Sequence, residues 1–351
     1  MPIHDKLIRA LSSLVSDIYS DMSSLVELEK LVRDINAYSI THRARGLESV
    51  VASDSSRVYR EMRAGVLFAV QAVGVKLKAG EERVNVEAEA GYCTIPLTSG
   101  KTPVEEVVKR AAQFTSRELE LSVASSLSSS DELVLHDGSL FSFLWYGKLP
   151  EIPREFKFAS GKKPRKLRDM WRSVATRLVE AAQRSQLLFL AKTIRRNYYV
   201  EKLLPDNTVQ IGALNDIVVL ELLRRRGSLP RAPFFIEPLY IEKPSDLPRP
   251  LKSLDPEDME FIKPVLPVTV TYVAFGPTTP LYQLTAPGKL STEDLSEVLN
   301  SILAFSATGY PDPLKIAHSM SKISIQEFKA LAVKLGLTRI PTGRELLGEF
   351  M

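Results

Sequence analysis

Cysteine is almost missing from this sequence: among 351 residues, only Cys93 carries a thiol. No intramolecular disulfide can form, and a thiolate zinc site is excluded. Histidine is scarce too, and His4, His42, His136 and His318 show no paired metal spacing. Any bound metal must rest mainly on carboxylates, which favours Mg2+ or Mn2+ over Zn2+. Long hydrophobic runs are lacking; the best, Ala64 to Val75, is short for a bilayer and contains Gln71. The start, MPIHDKLIRAL, has no unbroken apolar stretch of signal-peptide length. No Gly-x-x-x-x-Gly-Lys-Ser/Thr run is present, so no P-loop is available for ATP hydrolysis. These absences leave a cytoplasmic protein without a membrane partner as the simple expectation.

What is present is ordinary in bulk and uneven in detail. Hydrophobic residues at 44% and charged residues at 25% are globular values. The formal net charge is only +4, yet fourteen lysines and arginines stand against four acids between Arg154 and Lys202. Such a block can neutralise phosphates and release counterions, although a solvated helix face is the commoner explanation of a charge run. Residues 1–48 are expected to form an amphipathic helical segment, with Leu7, Leu11, Leu14, Ile18, Leu25, Leu28 and Leu31 at helical spacings. Residues 49–320 read as the core, with a Pro-rich extended excursion around 228–267, and 321–351 as a closing helical segment.

Within that core the order of elements is informative. Ser49 to Ser53 predicts a short strand ending at Asp54, and Val66 to Lys76 and Arg83 to Gly91 predict a hairpin. A helix opens after Pro103, with Glu105 and Glu106 suited to its first turn. Glu132 to His136 predicts a further strand, ending at Asp137-Gly138. A helix over 167–184, a buried strand over 187–191 and a helix over 215–226 follow. The strand pair 268–275 and 281–285 comes next, and then helices over 291–304 and 325–335. A strand-end Asp54, a helix carboxylate at Glu120 or its rival Glu118, and a strand-end Asp137 form the arrangement of an α/β fold with an RNase H-like mixed sheet. Clustered carboxylates repel one another unless a cation neutralises them, and divalent ions held there serve phosphodiester hydrolysis. Taken singly, Asp54 and Asp137 also suit turns, and Glu120 suits a solvated helix face.

Three segments together carry a resemblance. They are Val50-Val51-Ala52-Ser53-Asp54-Ser55-Ser56-Arg57, Leu133-Val134-Leu135-His136-Asp137-Gly138-Ser139-Leu140, and Gly309-Tyr310-Pro311-Asp312-Pro313-Leu314-Lys315-Ile316-Ala317-His318. With the strand Leu187 to Lys192 as a weaker fourth, they resemble the archaeal NurA nucleases in the family's order. One departure is Asp54-Ser55-Ser56, where many members have Asp-Gly-Ser. The resemblance implies an RNase H-like core flanked by helices and a Mn2+-dependent nuclease, with Mg2+ as a substitute. It implies endonuclease action on single strands and 5′–3′ exonuclease action on single- and double-stranded DNA. A homodimer and a partnership with the hexameric HerA translocase in DNA end resection are implied too. The family's site carries over onto Asp54, Glu120, Asp137, Tyr310 and His318, of which Asp54, Glu120, Asp137 and His318 would hold metal.

Physical roles can be assigned to these positions. The aspartates suit direct ligation, Glu120 a third ligand or a base, and His318 a further ligand or a proton donor to the leaving oxygen. Without the motif, His318 would read as a structural histidine near a helix start. Tyr310 suits a hydrogen bond to water or phosphate. Arg57, Lys162, Lys163, Arg165, Lys166, Arg168, Lys192, Arg195 and Arg196 are candidate DNA contacts. Phe141, Phe143, Trp145 and Tyr146 could stack on bases, though at least half of them are expected in strand core. Asp216 reads as a helix-start aspartate. The competing function is a non-catalytic adapter that binds DNA and a ring ATPase.

Overall fold

A computed structural model of the chain describes residues 35–40, 49–62, 65–93, 104–145, 155–192, 197–203 and 215–334, with a few positions before residue 15. Most of the expected N-terminal helical segment, Tyr146, Arg195, Arg196 and the tail beyond 334 lie outside the described residues. Two compact units result, one of residues 1–37 with 195–229 and the other of 38–194 with 230–351. Residues 195–229 therefore group with the N-terminal segment and interrupt the sequence of the larger unit.

In chain order the elements begin with β1 (Ala37–Ser39), β2 (Ser49–Met62), β3 (Gly65–Lys78) and β4 (Glu81–Cys93). Next come α1 (Val104–Leu127), β5 (Leu133–Asp137), α2 (Leu140–Leu144), β6 (Lys157–Phe158), α3 (Leu167–Arg184) and β7 (Gln186–Ala191). The smaller unit contributes α4 (Tyr198–Leu203) and α5 (Asp216–Arg225). The larger unit resumes with β8 (Phe234–Ile236), β9 (Leu239–Ile241), α6 (Arg249–Lys252) and α7 (Pro256–Ile262). It closes with β10 (Val268–Ala274), β11 (Tyr282–Pro287), α8 (Thr292–Ala304), α9 (Asp312–Ser321) and α10 (Ile325–Lys334).

The described strands form one eleven-stranded mixed sheet in the order β1-β8-β10-β11-β7-β5-β2-β3-β4-β6, with β9 also on β10. β2, β3 and β4 make an antiparallel meander, turned at Gly80 where φ is +78°. The chain then crosses through α1 and lays β5 parallel to β2, and α3 returns it to lay β7 parallel to β5. A parallel neighbour needs such a crossover, and this pairing of first and fourth core strands is what the RNase H-like reading requires. The α/β mixed sheet flanked by helices is thus as expected.

Period-two alternation sorts the sheet into two faces. Val50, Ala52, Leu133, Leu135, Leu188, Leu190 and Leu284 pack with Leu295, Leu299 and Ile302 of α8 and Leu314 of α9. α1 packs on β2 and β3 and against α3, approaching β3 closely at Gly74, where a Cβ would lie 2.9 Å from the Val123 carbonyl oxygen. Removing one buried leucine such as Leu135 from such packing costs about 2–5 kcal/mol.

Three local expectations change. β2 does not end at Asp54 but runs on to Met62, because the equally long β3 pairs with it along its whole length. The Pro-rich stretch holds β8, β9, α6 and α7, with both strands hydrogen-bonded to β10, so it is part of the sheet. The segment after Asp137 is the short helix α2, capped by Ser139, which buries Phe141 and Phe143. In the smaller unit, buried Asp216 accepts hydrogen bonds from the backbone N–H groups of Tyr199 and Val200 at the start of α4 (3.0 Å each). Asn215 is the residue that caps α5.

Candidate active site

The parallel pairing of β2 and β5 places Val50, Val51, Ala52 and Ser53 opposite Leu133, Val134, Leu135 and His136. Asp54 and Asp137 follow the last pair together. Both point to the face covered by α8 and α9, because Ala52 and Leu135, two residues earlier in each strand, belong to that core. Behind them, on the other face, Ser53 Oγ lies 2.8 Å from His136 Nδ1. The His136 ring is fully buried and stacks on Phe189 at 4.9 Å between centroids. Burial holds its pKa down to about 3, so this imidazole stays neutral.

α9 completes the cluster from far along the chain. His318 Nδ1 lies 2.7 Å from Asp54 Oδ2, and one ligand atom each from Asp54, Asp137 and His318 lie within 4.8 Å of one another. His318 sits in the last turn of α9, not near a helix start. Ser321, three residues on and so on the same helical face, points its hydroxyl at Asp54 Oδ2 (3.4 Å). Two carboxylates and one imidazole are a donor set suited to Mn2+ and Mg2+. The buried Tyr310 hydroxyl lies beside the Asp137 carboxylate. Burial and then the Asp137 charge push its pKa far above the ordinary phenol value, keeping it a donor. Lys192, just beyond β7, bonds Asp137 Oδ2 (3.2 Å) and lies 4.3 Å from the Tyr310 ring centroid.

Glu120 approaches from α1, the opposite side of β2. Alternation turns Asp54 and Ser56 toward α9 and Ser55 toward α1, where its hydroxyl donates to Glu120 Oε1. Glu120 is therefore joined to the cluster through the backbone of β2 and by charge, not as a member of the three-residue group. Its pKa is raised to about 8, mainly by burial and further by the Asp54 carboxylate, against the Ser55 hydrogen bond and the charges of Arg117 and Arg57. Buried Arg117 is lowered to about 9 by its own desolvation, and donates to the carbonyls of Trp145 (3.1 Å) and Ser142. The rival Glu118 is engaged elsewhere, in a two-pronged pair with Arg165 (2.6 and 2.7 Å).

The basic block divides in two. Arg165 is occupied by Glu118, and Arg168 and Arg172 both bind the fully buried Asp258 of α7 (3.0 and 2.8 Å). Lys162 pairs with Glu89 at 3.4 Å. Lys163, Lys166 and Arg57 are exposed. Residues not singled out from sequence are Ser55, Ser56, Arg117 and Ser321. Ser321 was open to discovery by its helical spacing from His318. The two serines fill the place of the usual glycine-serine with working hydroxyls, since Ser56 Oγ accepts the Ile323 N–H (3.1 Å).

Residues 48–323 match the family model described as the NurA domain. The chain belongs to the NurA family. Among NurA relatives, the DNA double-strand break repair nuclease NurA of Saccharolobus solfataricus is 24% identical over 354 residues, covering 95% of this chain and 94% of that protein. An uncharacterized protein of Methanocaldococcus jannaschii, MJECL07, is 29% identical over 150 residues, which are 40% of this chain and about a third (34%) of that longer protein. The crystal structure of the NurA nuclease from Sulfolobus solfataricus superposes with a TM-score of 0.64 at 18% identity, covering 96% and 97% of the two chains. A crystal structure of NurA bound to dAMP and manganese gives 0.53 at 13% identity, covering 93% and 96%. Both structural likenesses show the fold.

Proposed function

We propose that this NurA-family chain is a manganese-dependent DNA nuclease of double-strand-break repair. The observation that carries the reading is the meeting of Asp54, Asp137 and His318, drawn from β2, β5 and α9, within 4.8 Å. Support comes from family membership, from a relative named as a DNA repair nuclease and from a family structure solved with manganese and dAMP.

Asp54, Asp137 and His318 would hold the cation, with Glu120 poised behind Asp54. When bound there, divalent ions acting as a pair supply the Lewis acidity that activates water and stabilises the leaving oxygen. The protein's own groups do the rest. Tyr310 donates its hydrogen bond to a phosphate oxygen or to the attacking water, and Lys192 adds positive charge beside the same oxygens. Glu120, protonated below about pH 8, accepts the Ser55 hydroxyl's hydrogen bond and adds no second negative charge behind Asp54. Exposed Arg57, Lys163 and Lys166 track the phosphate backbone.

In this reading the enzyme is cytoplasmic and homodimeric. It cuts single strands internally and trims from 5′ ends in end resection alongside a HerA translocase, which supplies the motor that this chain lacks. Among the described residues no helix is long and apolar enough to cross a membrane. The test is digestion of end-labelled DNA by the purified protein with Mn2+, compared with Asp54→Ala and Asp137→Ala. Cleavage retained in either variant excludes this active site. Binding of the ring ATPase without cleavage under any metal assigns the chain an adapter's role instead.

A further inference from the structure

Of the four aromatic residues that follow Asp137, three are described, and they part company. Phe141 and Phe143 are buried in α2, whereas Trp145, next after the helix, is 40% exposed. We infer that Trp145 is a stacking platform for an unpaired base of the strand being cut, an inference that rests on the DNA-nuclease reading above.

The residue is held firmly although its ring is open. Its N–H donates to the Ser142 carbonyl (3.3 Å), and its own carbonyl accepts from Arg117 Nη1 (3.1 Å). The preceding carbonyl, of Leu144, accepts the indole N–H of Trp171 (2.9 Å). The Arg110 guanidinium lies over the Trp145 ring at 4.8 Å from its centroid. That guanidinium is fixed in turn by Glu106 (2.7 Å) and Gln113 (3.3 Å). An exposed indole ordinarily loses side-chain freedom on binding a ligand; here the fold has already ordered it and set a cation against the ring.

Its place is on the α1 side of the sheet, the side from which Glu120 approaches. α2 springs directly from the strand that ends in Asp137, and Arg117, which holds the Trp145 carbonyl, lies one turn before Glu120 on α1. Inside a duplex both faces of a base are covered by its neighbours, so away from an end a lone indole can take only a base that has left the stack. Such stacking is tolerant of sequence, because every base presents a π face. It suits an enzyme that cuts single strands without base readout.

The chain has two tryptophans, and Trp171 is fully buried, so quenchable emission belongs to Trp145. The experiment titrates the full-length protein in EDTA with oligothymidylate, following intrinsic fluorescence and, separately, the anisotropy of labelled DNA. The expected result is quenching that tracks binding in the native protein and is absent in Trp145→Phe, which keeps most of the affinity because its ring still stacks. Trp145→Ala is expected to weaken oligothymidylate binding roughly ten-fold while blunt duplex binding changes little. Unquenched emission at saturation, or unchanged oligothymidylate affinity in Trp145→Ala, overturns the platform and leaves the nuclease reading standing. Anisotropy that detects neither single strand nor duplex, in EDTA and again with Ca2+ in its place, removes both. Unaltered Trp171 emission from Trp145→Phe and Trp145→Ala certifies that they are folded.

Discussion

Glu118 and Glu120 are two residues apart on α1 and live in opposite electrostatic worlds. Glu118 is clasped by Arg165 through two short hydrogen bonds, and the same economy recurs where Asp258 is shared by Arg168 and Arg172. There Glu118 has one guanidinium and Asp258 two, and the charges tie the segment entering α3 to α1, and α3 itself to α7. Around Asp54 the carboxylates meet hydroxyls and an imidazole, with Lys192 on Asp137 the ammonium in direct contact. Charges that build the fold are neutralised in place. Those at the site leave room for a cation brought from outside, because gathered carboxylates are costly without one.

The contrast between the two glutamates can be broken at several points. The largest effect is expected at the unneutralised end: Asp54→Ala or Asp137→Ala should lower Mn2+-dependent cleavage about a thousand-fold, measured on end-labelled DNA, with little change in thermal midpoint. Glu118→Ala should do the reverse. It strands the Arg165 guanidinium and should cost roughly 3 kcal/mol by urea denaturation, while the Mn2+ concentration for half-maximal activity stays put. A vanished Mn2+ response in Glu118→Ala would mean that the two glutamates had been assigned the wrong way round.

Acidity sharpens the contrast. Glu120 is raised from an ordinary 4.5 to about 8 in the folded chain, so the folded state keeps a proton that the unfolded chain has already released. Stability of the metal-free protein should therefore fall as pH climbs from about 4.5 to about 8. Glu120→Gln should flatten that slope in EDTA-treated urea melts; an undiminished slope assigns it to other groups. The smallest effect belongs to the exposed lysines. Lys163→Ala with Lys166→Ala should weaken DNA binding a few-fold and reduce the salt slope by about one unit for each phosphate that is no longer neutralised. Arg168→Ala, freed from none of its structural duties, should destabilise the protein and leave that slope as it was.

The sheet was legible because its strands differ in kind. β5 and β7 are short apolar runs that announce their burial, whereas in β4 the period shows a strand but not its buried face, since Val84, Val86 and Ala88 are exposed and Glu89 is buried. The position of Asp137 was readable from the turn residues behind it. That of Asp54 was readable only in part, since nothing local reveals that β3 carries β2 onward past the end of β5. The choice between Glu118 and Glu120 was not readable: two residues turn a helix by about 200°, and only packing fixes which side faces the sheet. The basic block misled for a related reason. Asp258, the partner of Arg168 and Arg172, lies about ninety residues away inside a stretch whose prolines suggested loop. α2 escaped because five residues are too few for a helical period to show.

The distance in sequence between Asp54 and His318 has a consequence for how the protein comes into being. A ribosome that has released both aspartates into the open still holds the imidazole in codons not yet read. Until α9 emerges and docks, the growing polypeptide has two members of the cluster and no third. On the nuclease reading proposed above, the cutting site is thus completed only near the end of the protein's own synthesis.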